Sequence, residues 1–287
     1  MNNMADVLES EKRVALYRHL TSMQDTTSEN FFERYPDLRY AETVAREVLP
    51  YYIVNNWSYT LHDFSHSVRV IMRINEIVDM LPIKPNDTEL RIVYLAAWYH
   101  DLGMVLMPRS KEKETACSHG EVSEIIVRKM SKEWKIKKEH VNALCNVIKY
   151  HGREFGFEKA KKTVMIEGEV INLRRICALF CLCDILDMGR ERVSRIPYEL
   201  FTDERLMVKL SDIIGGHAYP YIHKAAREHW IDNFESSMTI KADRKTIVIG
   251  CGNEKQKNKK EQKVRYAREC LNELGLTDVS VELVIDT

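Results

Sequence analysis

The sequence predicts a mainly α-helical domain that carries a small C-terminal β-β-α-β appendage. Two observations predict it. From residue 1 to about residue 235, apolar side chains recur at three-and-four spacing, the repeat of one helix face, and strand patterns are few. After Phe234 the pattern turns to alternation, as half-buried strands require. The expected division is 1–235 for the helical part and 236–287 for the appendage.

Residues 4–22 and 39–54 read as amphipathic helices, with Pro36 and Pro50 as punctuation. From Phe64 to Leu81, a stripe of Val68, Ile71, Ile74, Ile77 and Val78 marks a third helix, stopped by Pro82. A fourth spans 88–102, beginning at Thr88 and apolar from Ile92 to Trp98. GMVLMPRSKEKETAC, 103–117, is a long polar insertion, and helical patterns resume at 119–131, 138–150 and 170–187. In the appendage, MTIKAD and KTIVIG read as strands around a turn at Asp243 and Arg244. GNEKQKNKKEQK reads as a solvated loop entering a helix near 260–274, with Gly275 as its cap and VSVELVID as a last strand. So small a unit buries little core by itself. It is expected to lean on the helical part, on another copy or on further sequence, and its edge strands can pair between subunits to form a homodimer.

Composition narrows the function classes. The 287 residues include 43 basic and 43 acidic side chains, so no global field draws the protein to nucleic acid or anionic membrane. The lysine-rich stretch 255–263 has no aromatic residue on which bases would stack, and nucleic acid is not the expected partner. No run approaches the roughly 18 apolar residues of a membrane span. The opening MNNMADVLESEKRV lacks signal-peptide order. Seven scattered cysteines lack paired zinc-finger spacing, and three share one apolar helical segment, where free thiols act as small hydrophobes. Together these features predict a reducing, cytoplasmic setting.

The chemistry-bearing residues come in a fixed order: His66, the adjacent His100–Asp101, His119, His151 and Asp184. Each lies in a predicted helix or at a helix end, so the helices can aim them into one bundle centre, a normal place for a metal site. Imidazole nitrogens and carboxylate oxygens suit Mn, Fe, Co, Ni or Zn. His66, His100, Asp101 and Asp184 suffice for one ion with open positions. His119 and His151 supply a second, and Asp101 can bridge the two, an arrangement that clamps an attacked phosphorus from both sides. A lone histidine on an apolar helix is usually a core residue, and that or surface exposure is the reading for His19, His140, His217, His223 and His229.

With the words HSVRV, YLAAWYHDLG and RRICALFCLCDILDMGRERV around its members, the order H…HD…H…H…D resembles the HD-domain superfamily of metal-dependent phosphohydrolases over about residues 40–200. Arg175, Arg190 and Arg192 flanking Asp184, and His229–Trp230 ahead of the strands, are similar to the HD subgroup often joined to Hsp90-like ATPase modules. The resemblance implies an HD-type helical bundle and two divalent transition-metal ions. His66, His100, Asp101 and Asp184 would surround the first, with His119 and His151 on the second. It also points to His62, four residues before His66 and on the same helix face, as general acid. Cyclic-nucleotide phosphodiesterases of the superfamily place the histidine that protonates the leaving oxygen at that spacing. Asp63 is then its orienter, a rival proton donor, or simply a helix cap.

The implied reaction is hydrolysis of a phosphoester or phosphodiester in a nucleotide-like small molecule by a hydroxide held between two ions. Two other readings share the ligand order: a mixed-valent di-iron oxygenase of the HD fold, and a non-catalytic metal- or nucleotide-binding module that regulates a partner through 236–287. One departure matters. Many two-metal members read HD-x-G-K, whereas this chain reads HDLGM, with Met104 in the lysine's place. Phosphate contact then falls to another cation, and the candidates are Arg109, Lys111 and Lys113 in the insertion, Arg153 after His151 and Arg190 after Asp184.

Overall fold

A computed structural model describes residues 34–51, 62–106, 118–151, 156–189, 192–193, 230–241, 243 and 245–285. The expected helix at 4–22, the cations Arg109, Lys111, Lys113, Arg153 and Arg190, and His19, His217, His223 and His229 lie outside the described residues.

Helix α1, Pro36–Val48, starts on a proline suited to a first turn and buries Leu38, Ala41 and Ala45. It yields to a 3-10 turn at Leu49–Tyr51, short of the expected residue 54. Pro50 explains this, because it has no N–H to continue the α-helical ladder. Helix α2, Phe64–Met80, is capped by Asp63, whose carboxylate accepts the amides of Ser65 and His66. Helix α3, Asp87–Tyr99, begins with a reciprocal box in which Asn86 accepts the Glu89 amide and Glu89 accepts the Asn86 amide. A five-residue helix α4, Leu102–Leu106, starts inside the expected polar insertion. Ser118 and Glu121 form the same box at the start of α5, His119–Met130, and α6 is Lys138–Lys149.

The expected helix at 170–187 begins later. A hairpin of β1, Val164–Ile166, and β2, Glu169–Ile171, precedes it. Glu167 and Gly168 turn it with φ of 50° and 85°, the two positive values of a type I′ turn. Three-residue strands are too short to show alternation. Helix α7, Leu173–Leu186, is apolar on nearly every side and packs against α2, α3 and α6, as a central buried helix should.

The appendage follows a short helical stretch at 230–234. Strand β3, Ser237–Lys241, runs antiparallel to β4, Thr246–Cys251, which pairs in parallel with β5, Ser280–Ile285. Helix α8, Glu254–Glu273, is the crossover, and it starts at the head of the stretch expected to be a solvated loop. Asn253 caps it, and the Lys, Glu and Gln that look like a loop by polarity are good helix formers. Gly275, at φ 76°, ends it as expected. Of the three supports expected for this unit, the helical part is the one observed: α8 packs on α7, and Val264, Ala267, Cys270 and Leu271 join the same core as Cys177, Phe180 and Cys181. Among the described residues, six cysteines are free and buried, and no helix is long and apolar enough to cross a membrane.

His140 is a core residue. It is 1% exposed, neither ring nitrogen has a hydrogen-bond partner, and Glu167 Oε2 stands off at 3.9 Å. Burial, and then the positive charge of Arg91, push its pKa below the ordinary 6.5. The unfolded chain therefore takes up a proton near pH 6.5 that the folded protein does not. This contribution leaves stability whole above that pH and erodes it as pH falls below. His140→Phe is expected to fold with at least wild-type stability at pH 7.5 and to gain on the wild type at pH 5, read by urea unfolding at both pH values. An equal difference at both would contradict this origin.

Candidate metal centre

Helix ends bring the ordered residues together. His66 sits in the first turn of α2, His100 is the last-turn cap of α3 with Asp101 in the turn beyond it, and His119 opens α5. His151 follows the end of α6, and Asp184 is in the last turn of α7. Two glycines let these ends approach. A side chain on Gly103 would strike the His119 carbonyl, and one on Gly120 would lie 2.9 Å from the Ile148 carbonyl and 3.1 Å from the His151 ring. Ser123 locks the His–Asp turn, donating to the His100 carbonyl at 2.5 Å and accepting the Gly103 amide at 2.7 Å. Gly103→Ala is expected to cost about 1–3 kcal/mol by overpacking α4 against α5, with chemical denaturation as the check. A loss indistinguishable from zero would mean that this contact yields freely.

Five of the six fall in two groups that share Asp101, His66–His100–Asp101 and Asp101–His119–His151, and Asp184 adjoins the first. His66 Nε2 lies 3.1 Å from His100 Nε2, 3.2 Å from Asp184 Oδ1 and 3.4 Å from Asp101 Oδ2. His100 Nε2 is 3.2 Å from Asp101 Oδ2. The other Asp101 oxygen faces His119 Nε2 at 3.6 Å, and His119 and His151 bring their Nε2 atoms within 2.8 Å. His66, His100 and Asp101 are buried, whereas His119 and Asp184 keep 32% and 24% of their side chains exposed and form the mouth.

The donor set fits metal ions. His100 Nδ1 faces the Ala97 carbonyl and His151 Nδ1 faces that of Ile148, so these nitrogens carry the ring protons. His66 Nδ1 likewise faces the Asp187 carboxylate. Each Nε2 then presents a lone pair to the centre, and bare lone pairs meeting near 3 Å repel. The buried Asp101 Oδ2 has no hydrogen-bond partner either. Donors bound about 2.0–2.2 Å from one ion lie roughly 3 Å apart, so an ion relieves both features.

Electrostatics agree. Burial works to lower the His100 pKa, but Asp101 and then Asp184 outweigh it and hold it up at about 9, so a proton fills the ion's role in the metal-free chain. Burial, with His119 and His100 nearby, pushes His151 down to about 4 and keeps it a neutral donor. Burial would raise both carboxyls, yet Asp101 is held low by His100 and His62, and Asp184 by His66 and His100.

His62 lies beside this cluster, its ring 5.7 Å from that of His66 and its Nε2 3.1 Å from Arg192 Nη2. An arginine only donates, so this His62 Nε2 accepts and the ring proton rests on Nδ1. Asp63 Oδ1 is engaged in capping α2 and in accepting from Ser65 Oγ at 2.6 Å. Met104 is buried. Two residues escaped the sequence reading. Asp187 accepts from Arg69 Nε at 2.7 Å and Nη2 at 3.1 Å, and it faces His66 Nδ1 at 2.5 Å. The available signals were spacings: Asp187 is three beyond Asp184, and Arg69 is three beyond His66.

A helical bundle whose helix ends gather these histidines and aspartates is an HD-type domain with a cluster that can hold metal ions. The HD-CE family model matches residues 50–267, well over half of the chain, and the chain belongs to the HD-CE family. No curated protein and no solved structure gives a match.

Proposed function

We propose that the chain is a metal-dependent phosphohydrolase that cleaves a phosphoester or phosphodiester bond of a nucleotide-like small molecule. One observation carries the reading. Asp101 directs one oxygen at the His66–His100 pair and the other toward His119, the disposition of a carboxylate shared by two divalent ions. His66, His100, Asp101 and Asp184 would hold the first ion, and His119, His151 and Asp101 the second. Such ions supply an activated water and neutralise charge developing on the phosphoryl oxygens.

The protein's own groups do the rest. The exposed edges of His119 and Asp184 admit the substrate. The first turns of α2 and α5 bring the positive ends of two helices to the cluster, which favours an anion there. His62 is the proton source for the leaving oxygen, with its mobile proton on Nδ1 while Arg192 occupies Nε2. Asp63, the next residue, fixes the turn that leads from His62 into α2. Arg192, the cation beside His62 at the cluster, takes the phosphate-facing role that Met104 cannot fill. Arg109, Lys111, Lys113, Arg153 and Arg190 remain the further candidates for that role.

The test is hydrolysis of bis(p-nitrophenyl) phosphate and a nucleotide panel by chelator-stripped protein reloaded with Mn(II), Ni(II) or Zn(II). Product release that requires the metal and stops with EDTA is expected. Protein that binds iron, consumes oxygen and hydrolyses nothing would replace this reading with the oxygenase.

A further inference from the structure

The histidines of the cluster are not oriented alike. His100 and His151 each direct Nδ1 at a main-chain carbonyl three residues earlier, at 3.1 and 2.5 Å. His66 instead directs Nδ1 at a carboxylate, Asp187 Oδ2, at 2.5 Å across 121 residues of sequence. Asp187 is 3% exposed and is held on its other side by Arg69, also 3% exposed, through the two hydrogen bonds described above. Arg192 adds a donor to the Asp187 carbonyl at 3.0 Å and brings Nε within 3.7 Å of Oδ2. Asp187 closes the C-terminal end of α7, three residues beyond Asp184, while His66 and Arg69 share the first turns of α2.

A histidine whose outward N–H meets a carboxylate is fixed in one tautomer and made a stronger donor at its other nitrogen, more so than one backed by a neutral carbonyl. The buried guanidinium keeps that carboxylate from turning away. We infer that Asp187 is a positioning residue that makes the two halves of the centre unequal: the half containing His66 binds its divalent ion more tightly than the half formed by His119 and His151. This rests on the metal-centre reading above and adds to it a filling order. At limiting metal the His66 half fills first, and the His119 half, at the exposed mouth, exchanges.

The experiment is titration of chelator-stripped full-length protein with Co(II), followed by calorimetry and visible absorption, for the wild type and Asp187→Asn. The wild type is expected to take up two equivalents in two unequal steps. The substitution should weaken the tighter step by about 10–100-fold, the usual cost of losing an outer partner of a ligand, and leave the weaker step unchanged. A second readout needs no variant: nitrogen NMR of Zn(II)-loaded, histidine-labelled wild type should show His66 protonated at Nδ1. A His66 deprotonated at Nδ1, or two steps weakened equally or not at all by Asp187→Asn, overturns the inference while the metal centre stands. A wild type that takes up no Co(II) overturns both. If Asp187→Asn fails to fold, His119→Ala decides: it should remove the weaker Co(II) step and keep the tighter one, and loss of the tighter step overturns the inference.

Discussion

Asp101→Asn is expected to abolish metal loading of the cluster while leaving the metal-free fold intact. The carboxylate is the one group shared by both halves of the centre. Asparagine keeps its shape but removes the charge and replaces one oxygen with an N–H. Without that charge His100 is no longer held protonated by Asp101, so the new N–H meets a histidine lone pair and the metal-free protein stays folded. The effect belongs to the loaded state. A ligand at 100 times its dissociation constant stabilises the folded protein by about 2.7 kcal/mol, a rise of roughly 5–10 °C for a chain of this size. Thermal unfolding with and without Mn(II) should show that rise in the wild type and none in the variant. Metal-dependent hydrolysis should fall by more than the roughly 100-fold upper cost of an outer-partner change. A variant that keeps the metal-induced shift would place the metal elsewhere.

The second large effect is structural. Asp37 and Arg91, both buried, join α1 to α3 through three hydrogen bonds of 2.6–3.1 Å, with Arg91 also over the Tyr35 ring at 4.9 Å. Asp37→Ala leaves the guanidinium buried and uncompensated, at a cost of about 3–5 kcal/mol, a large share of the roughly 5–15 kcal/mol that holds a domain together. Because α3 delivers His100 and Asp101 at its C-terminal end, the site loosens with it. Replacing both partners, Asp37→Leu with Arg91→Met, should recover most of the loss, since no charge is then stranded. Urea unfolding reads both. A loss below about 1 kcal/mol for Asp37→Ala would mean that water reaches Arg91.

The helices that place the site were legible because their signals are local. The stripe of α2 and the Asn86–Glu89 and Ser118–Glu121 boxes can be read within a few residues. The six His and Asp residues of the cluster were legible as a set because order along the chain survives folding. Their backing was not. Arg69 and Asp187 meet across 118 residues, and each alone looks like an ordinary charged residue at a helix end. The start of α8 and the β1–β2 hairpin were missed for opposite reasons. A lysine-rich stretch can be an exposed helix as readily as a loop, and a three-residue strand has no period to detect.

Two divalent ions held by these six residues would fix a stoichiometry. The most direct test is equilibrium dialysis of chelator-stripped protein against Mn(II) followed by elemental analysis. Two equivalents are expected in the wild type, one in His66→Ala and one in His119→Ala. No bound metal in the wild type, or two equivalents retained when both histidines are replaced, would contradict it.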